Sequence, residues 1–422
     1  MGKVPVLLGV IGVWAGSLSA GESPGGAGRF VRTIWSATKG NRFRVNSPDV
    51  KTGRYKDRWE ARQTGLMTIG VDEDLSQAAG AALYLELWGG HPGVANKRFT
   101  LNGKGTYRLP EVGAAAKNCT YSYPAVPLKL PELKRGANAF QFTCERGETF
   151  WGHYLIRAAA VRLELERTCP ALKEAALAGF TASVTARPHE GKAETLTLSL
   201  RVPRAMTSKV GRVEYWGRYR GYDENGDGRG EDWHGYTKDR QAAGIIGSSA
   251  TPPFAVEWDL SMTPASPTIA ARAVVHLKGA DRLSYHTAAV EAAFPRRGHR
   301  LSLHHAKDLP RPFWSRAGEA RSCTLDLDAD PAAIERAQLH VIIWDGGKGK
   351  TPEPFTLNGR PLPVAGAGRH DVLYRVLDVD PKWLKRGANR IRVLSDTKHH
   401  GIEVLLPGPA LMIRHRPVPT GR

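Results

Sequence analysis

Apolar and polar residues alternate along much of this chain. Thr195-Leu196-Thr197-Leu198-Ser199-Leu200-Arg201-Val202 alternates cleanly, and so does Thr268-Ile269-Ala270-Ala271-Arg272-Ala273-Val274-Val275. A period of two sends every second side chain to one face of a strand, so these runs predict half-buried β-strands. Leu83-Tyr84-Leu85-Glu86-Leu87-Trp88, Leu339-His340-Val341-Ile342-Ile343-Trp344, Arg212-Val213-Glu214-Tyr215-Trp216 and Phe254-Ala255-Val256-Glu257-Trp258-Asp259 add further strands. Thr251-Pro252-Pro253 and Thr263-Pro264-Ala265-Ser266-Pro267 punctuate them. Long helical periodicity is absent, and Pro331-Ala332-Ala333-Ile334-Glu335-Arg336, capped by Asp330, makes at most two turns. The pattern predicts an all-β protein.

The chain also repeats itself. Residues 67–103 align without a gap to residues 323–359, at a constant shift of 256. Thr68-Ile69-Gly70-Val71-Asp72-Glu73-Asp74 faces Thr324-Leu325-Asp326-Leu327-Asp328-Ala329-Asp330, and Phe99-Thr100-Leu101-Asn102-Gly103 faces Phe355-Thr356-Leu357-Asn358-Gly359. A second block, Leu133-Lys134-Arg135-Gly136-Ala137-Asn138, returns as Leu384-Lys385-Arg386-Gly387-Ala388-Asn389 at a shift of 251, which places the length differences in loops. Asn-Gly after a β-rich run is the dipeptide of a tight hairpin turn. The Lys-Arg-Gly-Ala-Asn block leads into Ala139–Thr143 in one copy and Arg390–Leu394 in the other, both strand-like.

This succession of a strand ending in Trp, Phe-Thr-Leu-Asn-Gly, a loop and Leu-Lys-Arg-Gly-Ala-Asn resembles the galactose-binding-domain-like jelly rolls that accompany secreted glycoside hydrolases. The resemblance covers residues 30–168 and 297–416 and implies a jelly-roll β-sandwich in each. It implies a fold rather than an activity, because such modules bind sugars in some proteins and are structural in others. Residues 171–295 between them resemble an immunoglobulin-like or fibronectin-like sandwich, in which a Pro-Phe-x-Val-x-Trp-Asp strand recurs. The expected architecture is three β-sandwich domains, the first and third being divergent copies of one module.

Residues 1–20 read as a signal peptide. Lys3 is the positive start, Val4–Trp14 the apolar run, and Ala15-Gly16-Ser17-Leu18-Ser19-Ala20 the small-residue site. The run is too short to span a bilayer stably, and no later stretch reaches a span's length. Residues 21–29 read as a linker. An exported chain permits disulfides, and of Cys119, Cys144, Cys169 and Cys323 the first two are the favoured pair. Asn118-Cys119-Thr120 fits a glycosylation sequon. The 60 Lys and Arg against 41 Asp and Glu give a net charge of +19. Such a surface favours anionic partners, and for an exported protein these are a glycan or a cell-surface polymer. No DNA- or RNA-binding motif is present.

The most chemical-looking segment is the acidic loop 223–232. Asp223, Asn225 and Asp227 occupy positions 1, 3 and 5 of a calcium loop, Gly228 the turn at 6, and the Arg229 carbonyl position 7. The segment resembles dockerin and EF-hand loops but has His234 at position 12, so a bidentate carboxylate must come from Glu231, Asp232 or elsewhere. It reads as a structural Ca²⁺ site, a solvated acidic turn or a catalytic carboxylate cluster. Trp88 and Trp344, at equivalent strand ends, read as core residues or as sugar-stacking platforms. His304-His305, His399-His400, His234 and His370 match no zinc spacing. No nucleophile elbow, His-Glu-x-x-His or phosphate loop occurs, and three sandwiches leave no room for a catalytic barrel. The expected function is a non-catalytic, exported carbohydrate-binding or cell-surface module protein. The alternatives are an extracellular polysaccharide-active hydrolase with an inter-domain site, and a structural or adhesive scaffold.

Overall fold

The computed structural model describes residues 28–46, 65–90, 94–110, 119–145, 153–295, 300–365 and 368–417. The signal-peptide and linker readings at 1–27, and Asn118 of the sequon, lie outside them.

The fold is all-β. In the N-terminal module a sheet ordered Leu66–Val71, Gly136–Glu145, Ala95–Leu101, Gly105–Arg108 packs against one in which Arg29–Asn46, His153–Leu165 and Ala78–Trp88 lie side by side. In the C-terminal module the inner sheet runs Arg321–Leu327, Gly387–Val393, Phe355–Leu357, Arg360–Pro361. It faces Leu301–His305, Ala410–His415 and Ile334–Asp345. The two orders agree strand for strand. Strand alternation fills each core: Met67, Ile69 and Val71 point inward with Phe99, Phe140 and Phe142, as Cys323, Leu325 and Leu327 do with Phe355 and Ile391. The Asp330-capped segment is one 3₁₀ turn, Pro331–Ala333, after which Ile334 already begins a strand.

The two repeated motifs are physically one device. Asn102 and Gly103 have φ of 52° and 68°, and Asn358 and Gly359 have 51° and 79°, the two positive values a primed hairpin turn needs. Asn102 Nδ2 donates to Asn138 Oδ1 and the Glu132 carbonyl, while its Oδ1 accepts from the Ala139 amide. Asn358 makes the matching bonds to Asn389, Trp383 and Arg390. Asn138 and Asn389, both fully buried, each fold back on the Lys-Arg-Gly-Ala turn through the Lys134 and Lys385 amides and carbonyls. A buried amide side chain left unpaired costs about 1–3 kcal/mol, so the hairpin and the turn hold each other in register.

The middle domain is joined to the N-terminal module by backbone hydrogen bonds. Val210–Arg220, Thr268–Leu277 and Leu283–His286 form a sheet whose last strand pairs antiparallel with the first strand of the chain, from Arg29↔His286 to Arg32↔Leu283. One eleven-stranded sheet therefore crosses both domains. Their cores merge beneath it, where Phe30, Phe180 and Tyr285 meet edge-on or tilted at 5.1–6.3 Å. Ser183–Pro188, Thr195–Arg201 and Val256–Asp259 close the other side of the middle sandwich.

A segment inserted after Val210–Arg220 ties in the C-terminal module. Tyr222 donates to the Gly408 carbonyl at 2.7 Å and stacks on Tyr374, and Lys238 of the hairpin Tyr236–Lys238/Gln241–Ala243 reaches Asp371 at 2.5 Å. Arg157 of the N-terminal module meets Asp239 and Asp371 at 3.0 and 3.2 Å. Trp88, Cys119, Tyr121, Tyr222, Tyr236, Ile342, Val372, Leu405 and Ala410 form a separate apolar cluster among the three domains.

That placement corrects the disulfide expectation. All four cysteines are buried thiols, and none is joined to another by a disulfide. Cys144 faces the N-terminal core, whereas Cys119 faces the inter-domain cluster beside Glu403, so Cys119 and Cys144 do not meet.

An added Cβ at Gly359 meets nothing within 4 Å, so only its φ resists substitution. Gly359→Val should therefore destabilise the C-terminal module by about 1–2 kcal/mol, read as a lowered unfolding midpoint. An unchanged midpoint would contradict the turn assignment.

Candidate functional site

The continuous sheet has one face on the core and one face open. On Val210–Arg220, Val213 and Tyr215 are buried in the core while Arg212, Glu214 and Trp216 take the other side. On Thr268–Leu277, Ala271, Ala273 and Val275 go inward and Arg272, Val274 and His276 outward. Register then lines up the outward residues across both domains. Arg212 lies opposite His276, His276 opposite Ser284, Ser284 opposite Val31, and Val31 opposite Glu164. Trp216 lies opposite Arg272, and Thr33 opposite Arg162. Together they floor a groove of about 1520 Å³ that runs from the middle domain onto the N-terminal module.

The side chains of this groove are arginines laid on aromatic rings. The Arg162 guanidinium sits 3.7 Å over Tyr84, Arg272 4.1 Å over Trp233, and Arg240 4.7 Å over Trp35. Such stacking fixes a guanidinium's plane. The inserted hairpin closes one end. Arg240 donates to the Ser36 and Thr38 carbonyls at 2.7 Å, and its amide bonds the buried Glu86 carboxylate at 2.9 Å. Glu86 is pushed above the usual carboxylate range, chiefly by burial.

Two carboxylates on the floor are already engaged, Glu164 with Arg29 at 2.6 Å and Glu214 with Arg212 at 2.5 Å. His286 is driven well below the usual imidazole range by burial, with Arg272, Arg162 and Arg29 reinforcing the shift. It is therefore a neutral group on a positive floor.

The acidic loop borders the same groove through Asn225, Asp227, Arg229 and Asp232. The Asp227 amide donates to both Asp223 Oδ1 and Asn225 Oδ1, at 3.0 and 2.9 Å, so these side chains converge on one backbone N–H. Asp223 Oδ2 takes the Gly228 amide, Asp227 the Arg229 amide, and Asp232 the Trp233 amide. Burial pushes Asp223 up to about 6, and burial with a hydrogen bond to Asp232 pushes Asp227 up to about 7. Glu231 is exposed. His234, at the twelfth position, closes the loop's base on Glu224 at 2.9 Å. Among the described residues no group of three or more His, Cys, Asp or Glu side chains is arranged to hold a metal ion.

The two tryptophans of the repeat do not form an open platform. Trp88 is 8% exposed inside the inter-domain cluster. Trp344 is half-buried, with His370 and His400 edge-on to it at 5.7 Å. Sequence reasoning missed Trp35, Tyr84, Trp233, Arg162, Arg240 and Arg272 as a set. The available signal was the polar half of each alternating run.

No protein-family model matches the chain, and no curated protein matches it. Among solved structures it is similar to a β-porphyranase of glycoside hydrolase family 86 from the human gut bacterium Bacteroides plebeius, at 14% identity and a TM-score of 0.23. That likeness covers 56% of this chain and 36% of the other. A family 86 structure in complex with neoagarooctaose matches at 12% identity and 0.23, over 56% and 33% of the two chains. The chain thus spans about a third of their length. Superposition this loose carries no argument about what the chain does. No helix among the described residues is long and apolar enough to cross a membrane.

Proposed function

We propose that this chain is an exported glycan-binding protein whose ligand is an anionic polysaccharide lying along the groove of the continuous sheet. The observation that carries the reading is the set of arginines stacked on Tyr84, Trp35 and Trp233 over one open face. The half-buried Trp35 and Trp233 offer their remaining ring surface to the apolar C–H faces of sugar rings, and guanidinium edges pair with acidic substituents in a bidentate manner. The net charge of +19 draws such a polymer to the protein. The outer two modules are read as galactose-binding-domain-like jelly rolls and the middle domain as immunoglobulin-like, with the sugar-binding work done at their junction.

Affinity electrophoresis against sulfated, uronate-containing and neutral polysaccharides tests this. Retardation by the acidic polymers, weakened by added salt, is expected. Trp233→Ala and Arg272→Ala should each weaken binding about tenfold, a loss of roughly 1.4 kcal/mol, at unchanged unfolding midpoints. Equal retardation of both variants and the parent would overturn the groove assignment. Release of new reducing ends would replace binding by the hydrolase reading.

Calcium belongs to the proposal as a structural ion of the loop, supported by the calcium-loop spacing of Asp223, Asn225, Asp227 and Gly228 and by the meeting of the Asp223 and Asn225 oxygens at the Asp227 amide. Millimolar Ca²⁺ should then raise the unfolding midpoint relative to EDTA, and Asp223→Ala with Asp227→Ala should abolish the gain. Superimposable parent curves would leave the loop as a hydrogen-bonded turn.

A further inference from the structure

A second cleft, of about 810 Å³, opens between the middle domain and the C-terminal module. The strand Leu301–His305 lines it, with Arg300 just before the strand and His415 on the neighbouring one. Ser302 Oγ stands between two imidazoles, 2.8 Å from His304 Nε2 and 2.9 Å from His415 Nε2. From the opposite wall Arg220 ends the Val210–Arg220 strand. Among the described residues neither Arg220 nor Arg300 has an ion-pair partner. Among the described residues Asp328 is the one carboxylate lining the cleft, and His305 is the third imidazole.

A hydroxyl carries one proton, so Ser302 can donate to only one of the two imidazoles and must accept from the other. Burial lowers His304, with Arg300 acting the same way and Asp328 and the Asp326 backbone against it. Burial also lowers His415, helped by Arg300 and His304. His305 is lowered by burial and by His304. Positive and protonatable groups from two domains thus face one open cleft, with Asp328 alone among its described lining residues to answer them.

We propose that this cleft binds an oxyanion, a sulfate, phosphate or carboxylate group, gripped by Arg220 and Arg300 and by His304 and His415 when these are protonated. A bound anion supplies the negative charge the site lacks and so raises the affinity of both imidazoles for protons. Both Nε2–H groups then donate, to Ser302 Oγ or to the anion, and the arrangement no longer depends on one hydroxyl proton. Linkage fixes the sign: proton uptake on binding means tighter binding as pH falls, by at most about tenfold per pH unit for each proton taken up. The site is independent of the groove, since the two share no lining residue.

The test is calorimetric titration of the full chain with inorganic sulfate, inorganic phosphate and a sulfated disaccharide, at pH 5.5 and 7.5. One saturable anion is expected, bound about tenfold tighter at the lower pH. Arg220→Ala with Arg300→Ala should weaken it at least about tenfold. His304→Gln with His415→Gln should retain binding but lose the pH dependence, and Arg272→Ala in the groove should change nothing. A disaccharide bound more tightly than inorganic sulfate assigns the anion to a glycan, and equal affinities assign it to a free ion. Absence of saturable binding at both pH values, or full binding by the double arginine variant, would overturn the proposal.

Discussion

The pairing of Leu283–His286 with the first strand of the chain is the constraint on which the rest depends. Four residue pairs turn two sandwiches into one sheet, and that continuity places Arg272 and Trp216 on the same open face as Arg162 and Tyr84. Without it the groove would be two unrelated half-faces, and Phe30, Phe180 and Tyr285 would lose their common core. The inserted hairpin depends on the same junction. It can close the groove over Glu86 and Trp35 only because the middle domain is held in fixed register beside the N-terminal strands.

The two copies of the repeated module put one face to opposite uses. Tyr84, Glu86 and Trp88 alternate outward from the N-terminal sheet, and His340, Ile342 and Trp344 are their counterparts. In the first copy Tyr84 borders the groove from beneath the Arg162 guanidinium, only 3% exposed. In the second the face is covered by Tyr222 and Tyr236 from the insertion, and burial pulls His340 down to about 4. A Glu at 86 and an Ile at 342 suit those roles: the carboxylate receives a hairpin amide, and the aliphatic side chain joins an apolar cluster. The repeated Asn-Gly and Lys-Arg-Gly-Ala-Asn motifs serve neither use, for they are hydrogen-bonded to each other inside each module.

Legibility in the sequence followed locality. Alternation and turn chemistry act over a few residues, so the all-β class, the hairpins at Asn102-Gly103 and Asn358-Gly359, and the shared strand order could be read directly. The groove could not, because Val31 and Ser284 meet at a sequence separation of 253 and nothing in either strand names its partner. Trp88 and Trp344 drew attention by recurring, yet recurrence marked the scaffold. Trp233 and Arg272, which face each other across strands, have no counterpart in the repeat and left no such trace.

Hydrogen exchange on the full chain with and without a sulfated oligosaccharide addresses the central claim most directly, that one continuous face spanning two domains holds the ligand. The account predicts joint protection of Arg29–Trp35, Thr268–His276 and the hairpin Tyr236–Ala243, with the repeated turns at Asn102 and Asn358 unchanged. Protection confined to a single domain, or centred on Trp344 in the C-terminal module, would contradict it.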